Sequence, residues 1–300
     1  MRDFVYYHPT SLDEARQLAM QQGAMLLAGG QTLLRDMKLG RHSPTSLIDV
    51  TGIVPKEIES LDGAVWIGAG ATHAEVASSP VLQQYLPVLA ALVDHIGDPA
   101  VRNRGTLGGA LAANERAGDY PAACLGLGAT VHTTRRKVAA SEFFVGEGRT
   151  VLDPGEIITA ATFPISRRAA YVKFLNPAAR YAMVGVFAAW GEDGTPHIAV
   201  TGARTDGAFR WEEAEVALTA GFVAERLRGI RLLHENLAED LFADAAYRAH
   251  LAEVFARKAV ALASGPAPGV MVLSHGTQLA NISLSLGNAE SGASCTQASA

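Results

Sequence analysis

Three hundred residues with 49% hydrophobic content give a chain long enough for more than one compact core. A net charge of −5 with the basic residues scattered excludes a nucleic-acid surface, which needs a clustered positive stripe. No apolar run approaches the roughly 20 residues a membrane span requires. The opening MRDFVYYHPTS has no apolar core of a secretory signal, so a cytoplasmic location is expected.

Taken in chain order, Ser11 followed three residues on by Glu14 predicts a capping box that opens a helix, closed by Gly23. Met25–Leu27 reads as a short strand running into Ala28-Gly29-Gly30, a second helix is expected from Thr32 to near Gly40, and SLIDV (46–50) reads as another strand. This alternation of strand and helix predicts a small α/β unit over residues 1–55. A second unit, 56–168, is expected to hold a strand at Val65–Ile67, a helix from Thr72, and helical sequence interrupted at Pro87. Three strands should follow the glycine-rich stretch VRNRGTLGGALAANERAGDYPAACLGLGA, in GATVHTT, EFFVG and GEIITAATFP. A third unit, 169–263, should carry a strand in AAYVKFL, a hairpin turned at Asp193-Gly194, and two helices. Residues 264–300, rich in Ser, Ala and Gly, read as an extended or mobile tail. The fold class expected is α+β.

Chemistry-bearing motifs are few. Cys124 and Cys295 stand alone, which excludes a disulfide framework and a cluster needing four thiolates. The nine histidines show no ligand spacing, so no metal site is expected. What remains is two glycine-rich loops, LAGGQTL (27–33) and RNRGTLGGA (102–110), with a weaker GAGATH (68–73). None fits the GxGxxG or Walker patterns. Bare glycine amides can cradle phosphate, or the glycines serve only tight strand-to-helix turns, and the residues alone leave both readings open.

AGGQT (28–32), HIGDPAVRNRGTLGGALA (95–112), DYPA (119–122), GEIITAATFP, KFLNPAARYAMVGVFAAW (173–190) and the stretch 202–218 together resemble, in order, the FAD-binding medium subunit of molybdenum hydroxylases. That group includes carbon monoxide dehydrogenase, xanthine dehydrogenase and bacterial N-heterocycle oxidoreductases. The resemblance covers about Met1 to Ala263. It implies a PCMH-type, vanillyl-alcohol-oxidase-like fold: two α/β subdomains around FAD, then a C-terminal sheet-and-helix domain. It also implies partners, a small subunit with two [2Fe–2S] clusters and a large molybdopterin-binding subunit, in a dimer of heterotrimers.

Site residues follow from the same resemblance. Leu27, Ala28, Gly29, Gly30, Gln31, Thr32 and Leu33 are expected to wrap the FAD pyrophosphate, with Gly105, Thr106, Gly108 and Gly109 as an opposing jaw acting by the same bare amides. Arg102, with Arg104, is expected to face the phosphates, or else to form a surface salt bridge. Asp119 is implied as acceptor for ribityl or ribose hydroxyls, Ile158 with Ile157 as a ring contact or plain core, Lys173 as a cation by the isoalloxazine, and Thr72 with His73 as a flavin-edge contact or helix cap. The chain departs from the family at Ala110, Ala113, Glu115-Arg116 and Tyr181. The expected role is an electron-transfer subunit with no catalytic side chain. A stand-alone FAD oxidoreductase and a non-catalytic assembly protein are the rival readings.

Overall fold

The computed structural model describes residues 3–274 and 277–278, except 167, 177–179, 192, 234 and 267–268. The first unit runs β1 (Val5–Tyr7), α1 (Leu12–Ala19), β2 (Ala24–Leu27), α2 (Leu33–Lys38) and β3 (Ser46–Asp49). Its three strands are parallel in the order β1-β3-β2. Ser11 caps α1 by accepting the Glu14 amide at 3.2 Å, but the Glu14 carboxylate takes the Thr10 amide, one residue earlier than a capping box requires. The helix ends at Ala19, so Gly23 (φ +76°) belongs to the turn into β2.

The second unit comprises β4 (Ile58–Leu61), β5 (Ala64–Gly68), α3 (His73–Ser78), α4 (Pro80–Tyr85), α5 (Pro87–Asp94), α6 (Pro99–Arg102), α7 (Leu107–Ala113), α8 (Asp119–Leu127), β6 (Thr130–Thr133), β7 (Lys137–Ala139), α9 (Ala140–Phe143), β8 (Phe144–Gly146), β9 (Arg149–Thr150) and β10 (Ile158–Pro164). Five of its strands form an antiparallel sheet, β4-β5-β10-β6-β7. Pro80, Pro87 and Pro99 each start a helix, where a missing N–H costs nothing. EFFVG, expected as a strand, folds as a helical turn burying Phe143 and only then as β8.

The third unit is a six-stranded sheet in the order β14-β13-β12-β11-β15-β16, from β11 (Arg168–Leu175), β12 (Ala182–Trp190), β13 (Pro196–Arg204), β14 (Gly207–Arg210), β15 (Val270–Ser274) and β16 (Thr277–Gln278). Helices α10 (Glu212–Leu218) and α11 (Ala245–Ser264) share its second hydrophobic core. The tail expected from 264 therefore begins later. β15 pairs in parallel with β11 and buries Val270 and Val272. The remainder of that tail, apart from 277–278, lies outside the described residues.

Every residue of α8 is buried. It is packed on both sides, with the second-unit core against one part and Phe187 of β12 against Gly126 on another, so one hydrophobic core runs across both units. This explains its run of small residues, because a Cβ on Gly126 would overlap the Phe187 ring.

Candidate cofactor-binding site

The first glycine loop leaves the carboxyl end of β2 and enters α2. Gly30 sits at φ +74°, the left-handed region that side-chain-bearing residues avoid. Among the described residues, the amides of Ala28, Gly29, Gly30, Gln31, Thr32 and Leu33 donate to no acceptor. Six consecutive free N–H groups around a left-handed glycine form a concentrated patch of partial positive charge, the arrangement that takes phosphate oxygens. The Gln31 side chain turns back to the Gly29 carbonyl at 3.5 Å, and the Thr32 hydroxyl donates to Glu115 at 3.2 Å.

The second loop is joined to the third as a ladder. Thr72 and Thr106 form an isolated antiparallel bridge, with His73 N–H donating to the Gly105 carbonyl at 2.9 Å and Leu107 N–H to Ala71 at 3.0 Å. Gly108 N–H donates to the Ala69 carbonyl at 2.8 Å, and Gly109 N–H to the Thr106 hydroxyl, which caps α7, at 3.1 Å. Of the amides from Gly105 to Ala110, only that of Thr106 has no acceptor among the described residues. The two jaws differ: the first loop offers free donors, whereas Gly105 and Gly108 bond the second loop to the third and Gly109 N–H is spent on the cap of α7. A Cβ on Gly108 would stand 2.7 Å from Ala69 Cβ, and one on Gly105 2.6 Å from the His73 ring.

The two loops touch directly. A Cβ on Gly29 would overlap the Arg104 carbonyl and stand 2.8 Å from Gly105 Cα, and one on Gly109 would lie 3.8 Å from Ala28 Cβ. Leu27, ending β2, and Leu33, opening α2, flank the loop half-buried.

The remaining expected residues divide. Arg102 donates to the carbonyls of Ile96 and Gly97, both at 3.2 Å, and pairs with Asp94 at 3.5 Å, so its guanidinium is engaged within its own segment. Arg104, whose carbonyl abuts Gly29, is exposed and has no side-chain partner among the described residues. Asp119 and Lys173 are partners of each other: Lys173 Nζ lies 2.7 Å from Asp119 Oδ2 and 3.0 Å from the His95 carbonyl, while the Tyr171 hydroxyl donates to Asp119 Oδ1. Both are buried, and the hydroxyl-accepting and flavin-facing roles the resemblance implied compete here with an internal ion pair. Ile158 lies in the second-unit core and Ile157 in that of the first. Thr72 caps α3 with a complete capping box to Glu75. His73 is buried with Nδ1 unpartnered, and burial, aided by the Arg102 charge, pushes its pKa down to about 4.

A family model described as the FAD-binding domain in molybdopterin dehydrogenase matches residues 2–166. The chain belongs to this family. The carbon monoxide dehydrogenase medium chain of Hydrogenophaga pseudoflava is 39% identical over 170 residues, 54% of this chain and 58% of that protein. The nicotine 6-hydroxylase medium subunit of Paenarthrobacter nicotinovorans is 37% identical over 166 residues, 53% and 58% of the two chains. The sequence matches thus span a little over half the length of these curated relatives. Similarity of structure reaches further. A chain of carbon monoxide dehydrogenase from Oligotropha carboxidovorans superposes with a TM-score of 0.79 at 28% identity, covering 86% of this chain and 96% of that one. A chain of the Hydrogenophaga pseudoflava enzyme gives 0.76 at 32% identity with the same coverage.

As a member of the FAD-binding-domain family, the chain presents residues that fit a dinucleotide's linked phosphates: free amides from 28 to 33 around the left-handed Gly30, and the unpaired Arg104 beside them. Sequence reasoning singled out the first loop but not Arg35, which reaches Glu115 at 2.6 Å and Tyr181 at 2.8 Å. Glu115 and Tyr181 stood out only as departures from the family. The available signal was Arg35 lying three residues beyond Thr32 on one helix face.

Proposed function

We propose that this chain is the FAD-carrying electron-transfer subunit of a molybdenum-containing hydroxylase or dehydrogenase. The run of amides at 28–33 without a protein acceptor among the described residues carries the reading, because a half-buried to exposed loop of that kind suits a dianionic pyrophosphate. Ala28–Leu33 would hold the phosphates, helped by the Thr106 amide and the Arg104 guanidinium, while the 68–72 loop braces the second loop from behind. Bound there, FAD supplies a two-electron carrier that can be filled one electron at a time. The protein's part is to fix the cofactor and shield it from water, and no side-chain nucleophile or acid–base pair is needed.

Electrons would enter from a small subunit holding two [2Fe–2S] clusters and originate at a large molybdopterin-binding subunit, in a dimer of heterotrimers. The relatives' own names, medium chain and medium subunit, support a place in such a complex. Two cysteines cannot ligate an iron–sulfur cluster that takes four, so the clusters belong to a partner. Purification of the full chain from its source cells tests this. Flavin absorbance with one FAD per chain, and a larger and a smaller companion protein, are expected. A colourless protein contradicts the reading, and a lone yellow chain turning over an organic substrate favours the stand-alone oxidoreductase.

A further inference from the structure

Three segments distant in sequence meet at one carboxylate. Glu115 lies in the turn between α7 and α8, and both its neighbours fix that turn. The Asn114 side-chain amide donates to the carbonyls of Gly146 at 2.7 Å and Arg149 at 3.0 Å. The Arg116 carbonyl accepts the Thr201 hydroxyl and the Gly202 amide, both at 3.0 Å, from the third unit. On this mount Glu115 accepts Arg35 Nη2 at 2.6 Å, Thr32 Oγ1 at 3.2 Å and the Tyr181 hydroxyl at 3.1 Å. Arg35 Nη1 donates to the Tyr181 oxygen at 2.8 Å, which closes a triangle. Arg35 belongs to the helix into which the first glycine loop runs, and Tyr181 leads into β12.

We propose that Glu115, Arg35 and Tyr181 form a clasp across the three units that seats the 28–33 loop and sets how fast FAD leaves it. This rests on the FAD reading above. The three are positioning residues: Glu115 acts on the loop through Thr32 and Arg35, and Tyr181 ties the third unit to both. The Arg35–Glu115 bond, at 2.6 Å, is charge-assisted and short, and the two side chains are only partly exposed, 37% for Arg35 and 28% for Glu115. Arg35 has a second task. It neutralises a carboxylate that stands within hydrogen-bonding distance of Thr32, at the end of the phosphate loop. Without Arg35, that negative charge would face the phosphates uncompensated.

The two tasks give an ordered prediction for the rate of FAD release, followed by flavin fluorescence after dilution of the FAD-loaded full chain. Glu115→Ala should release FAD about tenfold faster. Arg35→Ala should release it faster still, and the double variant should be no worse than Arg35→Ala, because deleting the carboxylate removes the repulsion. Added salt should narrow the gap between Arg35→Ala and the double variant. Glu115→Gln, which keeps an acceptor oxygen, should lie between wild type and Glu115→Ala. Tyr181→Phe removes only a hydroxyl and should release FAD about threefold faster with an unchanged fold. Release at the wild-type rate in Glu115→Ala, Arg35→Ala and Tyr181→Phe overturns the clasp. So does simple additivity in the double variant, the signature of generic loosening. A wild-type chain that holds no FAD instead removes the cofactor reading on which the clasp rests, before any variant is compared.

Discussion

An alanine at position 29 would drive its Cβ into the Arg104 carbonyl, so this glycine is required by the contact between two loops. Gly30 is required by its backbone angle, φ +74°. Gly29→Ala is expected to cost about 1–3 kcal/mol and to lower flavin retention with it, measured by denaturant unfolding and flavin absorbance. His73 makes a second residue-scale prediction. It is folded as a neutral ring, with its pKa near 4, whereas the unfolded chain has it at the ordinary 6.5. Between those values the unfolded state binds more protons, so stability rises with pH through that window and falls as the solution is acidified from 6.5 towards 4. The half-buried His132 and His197 shift in the same direction. Hence the check is a comparison: His73→Gln should show a shallower loss of stability over pH 6.5 to 4 than wild type, in equilibrium unfolding.

At the scale of elements, β15 completes the third sheet by lying parallel to β11, with Val270 and Val272 turned into buried space. Val272→Asp would bury an unpaired carboxylate and is expected to cost about 3 kcal/mol or more, read from thermal unfolding. A substitution in a mobile tail would leave the melting point unchanged. That strand was hidden in the sequence because five residues, VMVLS, follow a Gly/Pro/Ala stretch and precede a polar one, a context that reads as tail. The first unit was legible because strand and helix periods alternate cleanly and a cap residue marks α1. α8 was not, because every one of its residues is buried and an all-round apolar helix has no period to detect. EFFVG misled through its aromatic residues, whose strand preference yielded to the burial of Phe143. In the site, the glycine loops were legible as backbone features. The Glu115–Arg35–Tyr181 triangle was not, since its members stand 80 and 66 residues from Glu115 and only tertiary folding brings them together.

Over the whole molecule, the second and third units are joined by packing and by charge. Lys173 on β11 and Asp119 on α8 form an ion pair with side-chain exposures of 0% and 6%. Removing one partner leaves the other buried and uncompensated, so Lys173→Met is expected to destabilise the chain by about 3–5 kcal/mol in denaturant unfolding. The double variant Asp119→Asn with Lys173→Met should recover much of that loss, because no lone charge remains. An equal or larger loss in the double variant would show that packing, not charge, dominates the junction. The first loop, the ladder of the second and third loops, and the Glu115 turn adjoin along one edge. The account of what this edge does depends on the amides of 28–33 being donors that await phosphate oxygens. Hydrogen–deuterium exchange of those six amides, with and without FAD, reads that out directly. Fast exchange in the FAD-free chain and strong protection once FAD is bound is the predicted result. Unchanged exchange at 28–33 in a chain that demonstrably holds FAD would contradict it.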